Sequence, residues 1–234
     1  MISRRMFCGC AAVAGSFAAT TVHAQVACNF STPDRQKNMT PDQAIEALRD
    51  GNERMLAGKS VNCDLLSLFK NAGAGQAPFA AVVSCIDSRT SPEHVFDQEI
   101  GDLFVARVAG NFANTDIIGS LEYATKVAGA KAVVVMGHNK CGAIKSAVDG
   151  VKMGNITALL KNFGPALKTL TPADGHRDSH NDALVQKVAE ANARLTVANL
   201  TKRSAILKSL VDAKQLKIVA AMEDIGTGKT TWLS

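Results

Sequence analysis

The run Ala132-Val-Val-Val-Met136 carries no polar side chain at either parity. A strand with one wet face alternates apolar and polar residues, whereas a continuous apolar run must be covered on both sides. Phe79 to Ser84 has the same character, and Leu103 to Val108 and Leu216 to Ala221 are two further strand-like runs. Stretches with helical spacing lie between them: Ile117 to Ala128, Gly142 to Val148, and Ala183 to Leu210 as one or two helices. Ahead of them Thr40-Pro41 opens a helix to about Leu56, with Thr40 as N-cap and Pro41 at the first helical position. Ala44, Ile45, Ala47, Leu48 and Met55 share one face of it, Gly58 ends it, and a turn-rich stretch from Asn71 to Pro78 leads into the first strand. Strands alternating with helices predict an α/β chain: a mainly parallel sheet of about four strands, an antiparallel edge strand, and helices on both faces.

The chain has 234 residues, 47% of them hydrophobic, with a mean hydropathy of +0.05, which suits one core-forming domain. The formal charge is +5, and the first 24 residues hold Arg4 and Arg5 but no acid, so the remainder sums to 5 − 2 = +3. No basic run is interleaved with aromatics, and Trp232 and Tyr123 are the sole Trp and Tyr, which argues against nucleic acid and for a small partner.

Residues 1–24 read as an export signal: a basic start at Arg4-Arg5, a short apolar middle, and Val22-His23-Ala24 before a cleavage point near Ala24-Gln25. The middle is too short and too rich in Ala, Gly and Ser for a membrane span. Paired arginines followed by Met6-Phe7 resemble a twin-arginine signal, a route that carries folded, metal-loaded proteins. An ordinary Sec leader, or a lipoprotein attached at Cys28, are the alternatives. The predicted organisation is a signal over 1–24, a polar arm over 25–39 and one domain over 40–234, acting in the periplasm. Of six cysteines, Cys8 and Cys10 fall in the leader, and Cys85 and Cys141 are better explained by metal. Cys28 and Cys63 remain; two unpaired thiols are the favoured reading, and a single bond between them is the alternative.

Cys85-Ile86-Asp87-Ser88-Arg89 follows the first strand, and Gly137-His138-Asn139-Lys140-Cys141-Gly142 follows the third. If those strands are neighbours, the two segments converge beyond their carboxyl ends, where open α/β sheets place their sites. Two thiolates and an imidazole suit zinc, and because tetrahedral zinc takes four donors, one position is left for water. Two thiolates leave the site neutral, so the metal should acidify its water less than three histidines would. In an extended segment positions 87 and 89 face the same way. Asp87 would therefore pair with Arg89, stay ionised, and accept the hydrogen bond of a zinc-bound hydroxide. The same carboxylate is the candidate fourth ligand in a closed state at lower pH. Singly, a strand-end Cys reads as packing and an Asp-x-Arg as a turn ion pair; jointly, with Gly142 beside the last Cys, they point to metal.

Two other motifs are set aside. Gly226-Thr-Gly-Lys-Thr230 invites a phosphate-loop reading, but Glu223 stands where that motif needs glycine and too little chain follows for a helix. A hairpin turn is expected there. His176 and His180 sit in a polar stretch that reads as a solvated loop.

Cys-x-Asp-Ser-Arg followed by His-x-x-Cys-Gly resembles the signature of the β-class carbonic anhydrases, and the similarity runs from about Thr40 to the C-terminus. Gln76 falls where that family has a glutamine that binds substrate or bicarbonate, and Phe104 and Tyr123 where it places aromatic residues lining the site. Arg107-Val-Ala-Gly-Asn111 and Leu121-Glu-Tyr123-Ala are similar to family blocks around the site and dimer interface. The resemblance implies zinc on Cys85, His138 and Cys141, Asp87 and Arg89 as the catalytic pair, and Gln76, Gly142, Phe104 and Tyr123 at the substrate. It implies reversible hydration of carbon dioxide by zinc hydroxide, in a homodimer or a dimer of dimers. His94 is a candidate proton shuttle. Some members bind bicarbonate at a second site through a Trp three residues before the first Cys; here that position is Val82, so the open, unregulated type is expected. The rival readings keep the zinc: hydrolysis of carbon disulfide or carbonyl sulfide, or a non-catalytic zinc module.

Overall fold

All four apolar runs form strands, and a fifth closes the sheet. The computed structural model describes Cys28 and residues 31–233; the export signal expected over residues 1–24 lies outside the described residues. Strands β1 (Ala80–Ser84), β2 (Leu103–Arg107), β3 (Ala132–His138), β4 (Lys217–Glu223) and β5 (Thr230–Leu233) make one sheet in the order β2-β1-β3-β4-β5. The first four pair in parallel and β5 is antiparallel to β4. The ten α-helices among the described residues are α1 (Pro33–Asn38), α2 (Pro41–Leu56), α3 (Leu65–Ala72), α4 (Pro92–Val95), α5 (Thr115–Glu122), α6 (Gly142–Val148), α7 (Gly154–Leu160), α8 (Gly164–Leu167), α9 (Asp182–Arg203) and α10 (Ala205–Asp212).

Strand parity shows why the apolar runs could not alternate with polar residues. Ala81, Val83, Val133 and Val135 face a core that includes residues of α5 to α10, whereas Ala80, Val82, Val134 and Met136 face a second core with Ala44, Ile45 and Leu48 of α2 and Phe96. Both faces are thereby dry. Val82 is one of these packed side chains. Helix α2 begins with a reciprocal capping box, in which the Thr40 hydroxyl accepts from the Gln43 N–H while the Gln43 side chain accepts from the Thr40 N–H. Asn52, buried on α2, donates to the carbonyls of Val95 and Gly228 and accepts the N–H of Thr230, tying the helix to the β4–β5 hairpin. That hairpin contains the glycine-lysine motif, and Asp224 accepts from the N–H groups of Gly226 and Thr227 within its turn.

Four expectations need correction. Cys28 and Cys63 are joined by a disulfide, with their Cα atoms 5.8 Å apart, rather than left as thiols. The arm residues 31–39 are not featureless: α1 forms on the Thr32 cap and Pro33, though it has no buried residue and hence no apolar period to reveal it. Gln36 of α1 donates to the carbonyls of Pro78 and Ala128, and Ser31 to that of Ala77, pinning the arm to the domain. The helix expected over 117–128 changes after Glu122 into a π turn, Tyr123–Val127, closed by the Ala128 N–H on the Tyr123 carbonyl. Finally, β3 runs two residues beyond Met136, because Gly137 and His138 pair with Met222 and Glu223 of β4. A Cβ at Gly137 would lie 2.7 Å from the Met222 sulfur, so glycine permits that close pairing.

Candidate metal centre

Because β1 and β3 are adjacent and parallel, Cys85, one residue past β1, and His138, the last residue of β3, emerge side by side. Cys141 follows at the N-cap of α6, after a tight turn in which Lys140 takes φ +53°. The ligand atoms of Cys85, His138 and Cys141 all lie within 4.8 Å of one another, and their residues are 4%, 1% and 1% exposed.

The ring orientation of His138 is set by its own loop. Nδ1 lies 2.8 Å from the Asn139 carbonyl, which can only accept, so Nδ1 carries the proton and Nε2 keeps its lone pair. Nε2 is buried with no hydrogen-bond partner. A buried acceptor in that state costs about 1–3 kcal/mol unless something fills it, and an ion between it and two sulfurs does so. The Asn139 side chain holds the loop in turn, donating to Asp224 and accepting the Ile225 N–H. The Cys85 thiol is drawn well down, chiefly by the hydrogen bond from Cys141 and against the opposing effect of burial, with the Gly110 N–H assisting. Cys141 is pushed far up, first by that bond to Cys85 and then by burial. Zinc bound to both sulfurs would replace the hydrogen bond between them. The donor set therefore fits zinc.

Asp87 and Arg89 do meet, but through a turn and not an extended segment. The Arg89 backbone N–H donates to Asp87 Oδ1 at 3.0 Å, while Nε and Nη2 donate to Oδ1 and Oδ2 at 2.8 and 2.6 Å. The side chain of Arg89 holds the Asp87 carboxyl well below the usual carboxylate range. Asp87 Oδ2 stands 3.9 Å from His138 Nε2 yet lies outside the three-ligand group.

Four further residues, Arg107, Gly110, Asn192 and Glu223, frame this site. Arg107, at the end of β2, donates from Nε to the Cys85 carbonyl at 2.8 Å and from Nη2 to the Asp87 carbonyl at 2.6 Å. The Gly110 N–H donates to Cys85 Sγ at 3.2 Å, and buried Asn192 of α9 donates to the Gly110 carbonyl at 2.8 Å. Glu223, 2% exposed, pairs in register with His138, and burial pushes its carboxyl up to about 7. The Arg107–Asn111 block was visible as a motif, but its partners are on other strands and helices.

Of the remaining expected residues Gly142 adjoins the ligands, directly after Cys141, and the others lie elsewhere on the surface. Gly142 is exposed at the start of α6, with open space where a Cβ would project. Phe104 and Tyr123 meet edge to face, with centroids 6.5 Å apart, and line a cleft of about 590 Å³ along β2 and α5. Gln76 is exposed ahead of β1, at the end of the strand remote from Cys85. His94 lines another cleft with Glu93 and Glu99, to which none of the three ligands contributes. His176 and His180 are exposed in their loop, as expected.

A parallel α/β sheet with two cysteines and a histidine converging at the ends of adjacent strands defines a zinc-site protein of the β-carbonic anhydrase type. Residues 80–230 match the family model described as carbonic anhydrase. Carbonic anhydrase 2 of Mycobacterium tuberculosis is 32% identical over 199 residues, covering 82% of this chain and 92% of that protein. The solved β-carbonic anhydrase CcaA aligns with a TM-score of 0.64 at 25% identity, over 82% of this chain and 94% of the other. One of two tetrameric β-carbonic anhydrases from Sordaria macrospora aligns with the same score at 24% identity, over 72% and 87%. The chain belongs to the β-class carbonic anhydrase family.

Proposed function

We propose that this protein catalyses the reversible hydration of carbon dioxide to bicarbonate and a proton, with one zinc ion per subunit. The observation that carries the reading is the buried, partnerless His138 Nε2 facing two cysteine sulfurs, with an arginine-held carboxylate 3.9 Å away. Zinc at such a site supplies acidification of water and stabilisation of negative charge on oxygen. Cys85, His138 and Cys141 would hold it. Asp87, ionised and aimed by Arg89, accepts a hydrogen bond from the attacking water and so turns an oxygen lone pair toward the carbon of carbon dioxide. Arg107 fixes the main chain on both sides of Ile86, which keeps a metal ligand and the orienting carboxylate in one frame. Stopped-flow hydration tests the reading: fast turnover, abolished by a zinc chelator and severely reduced in Asp87→Ala, is expected. Undiminished turnover in Asp87→Ala would discard the orienting role.

The working unit in this reading is at least a homodimer, with Gln76, Phe104 and Tyr123 serving substrate at a site completed by a second copy. Supporting it, Gln76 precedes β1 at the end remote from its own ligands, and Tyr123, packed on Phe104 of the edge strand β2, is 52% exposed. Light scattering should give twice the chain mass or more, and a monomer with full activity would refute it. Export to the periplasm completes the proposal. Its support is the basic-apolar pattern of residues 1–24 together with the Cys28–Cys63 disulfide, a bond that persists in oxidising compartments. Cell fractionation should recover a chain beginning near Gln25.

A further inference from the structure

At the end of the sheet away from the metal centre, Lys37, Lys126, Lys131 and Lys214 line one cleft of about 490 Å³. They arrive from separate segments: α1, the π turn after α5, the residue before β3, and the turn after α10, where Lys214 takes φ +56°. No Asp or Glu lines the cleft; Asn38, Thr40, Thr125 and Gln215 supply its uncharged polar groups. Some lysines elsewhere among the described residues pair with carboxylates, Asp182 with Lys145, Asp174 with Lys187 and Asp212 with Lys208, whereas others such as Lys168 do not, so what sets the cleft apart is the gathering of four in one concavity. Even Lys217, whose backbone N–H bonds the Lys131 carbonyl, is matched by Asp42. Among the described residues none of the four cleft lysines has a side-chain hydrogen bond or ion pair.

Four lysines line one concavity that has no carboxylate among its lining residues, which raises its potential. The 16-residue helix α2 also opens on this cleft with the positive end of its dipole, and the one acid of its first turn, Asp42, is engaged by Lys217. A dissolved anion of several charges offsets such a cluster, and the volume falls in the range of small-molecule sites. We infer that this cleft binds a soluble, multiply charged oxyanion of the phosphate class. Lys131 and His138 bracket β3, so the bound anion would sit roughly 20 Å from the metal ligands at the usual rise per strand residue. The inference does not depend on the proposed hydration activity.

Titration calorimetry of inorganic pyrophosphate into the zinc-loaded protein, at fixed ionic strength and in excess bicarbonate, tests it. Saturable binding at one ion per chain is expected. Lys126→Gln/Lys131→Gln/Lys214→Asn should weaken it at least tenfold, Asn being chosen because it tolerates the left-handed φ. Lys168→Gln, an exposed lysine outside the cleft, should change it less than twofold. Lys126→Gln alone, on an exposed side chain, should weaken binding about threefold and guards against a triple variant that does not fold. Absence of saturable binding, equal loss in Lys168→Gln, or full affinity in both cleft variants would overturn the inference.

Discussion

Replacing both Cys28 and Cys63 by serine removes a cross-link between residues 35 positions apart. In the chain-entropy treatment a loop of that length contributes about 3.8 kcal/mol at 25 °C by restricting the unfolded ensemble. For a chain of this size that corresponds to a fall in thermal midpoint of about 8–15 °C. Trp232 is the sole tryptophan, packed 6.0 Å from Phe96 and beneath the Arg49 guanidinium, so its fluorescence reports unfolding without a label. Neither cysteine belongs to the metal group, so hydration activity below the transition should match that of the unaltered protein. A phosphine reductant should bring the unaltered protein down to the midpoint of the variant and leave the variant where it is. The reasoning fails if the variant loses less than about 1 kcal/mol, or if thiol titration of the unfolded, metal-free mature chain finds four free thiols instead of two.

Other consequences concern the centre itself. In Arg89→Ala the Asp87 carboxyl should titrate at a higher pH, moving back toward its ordinary value of 3.8. Its charged state, normally present above that value and lost only well below it, would then fail nearer pH 4; carbon-13 NMR of the carboxyl would follow this, with turnover falling by about 10²-fold through misplacement. Gly110→Ala places a Cβ 2.3 Å from Phe163 at φ +81°. It should lose about 1–3 kcal/mol from overpacking and release zinc to a chelator faster, whereas wild-type zinc retention would contradict a role for the Gly110 N–H at Cys85. Glu223 has a folded pKa raised from 4.5 to about 7, so its charging penalises the fold increasingly as pH rises through that window. Glu223→Gln should therefore gain stability relative to wild type between pH 5 and pH 8, by something on the order of 3 kcal/mol; an identical difference at both pH values would refute this.

How far the sequence could be read depended on whether the governing interactions were local. The strands around Val83 and Val134 were legible because covering both faces demands unbroken hydrocarbon. Thr40-Pro41 was legible because a cap and a first-turn proline act within four residues. The ligands were legible as donor types, and their convergence waited only on the adjacency of β1 and β3. The Arg107 bonds to the Cys85 and Asp87 carbonyls span 22 and 20 residues, and Asn192 reaches Gly110 across 82. No local period encodes such partners. The disulfide was missed for a related reason: counting cysteines says which are left over, and only the fold says that the leftovers are 5.8 Å apart. Helix α1 carries the same local cap and proline at Thr32-Pro33, but no apolar stripe follows them, and its tie to the domain through Gln36 is long-range.

Arg107 grips peptide oxygens and ignores the side chains between them. The shape of the stretch from Cys85 to Asp87 is thus indifferent to what residue 86 is, and Ile86, 61% exposed, points into solvent from a scaffold that would survive its replacement. Evolution or an engineer could alter polarity and bulk at that one position while Cys85 and the orienting carboxylate keep their places.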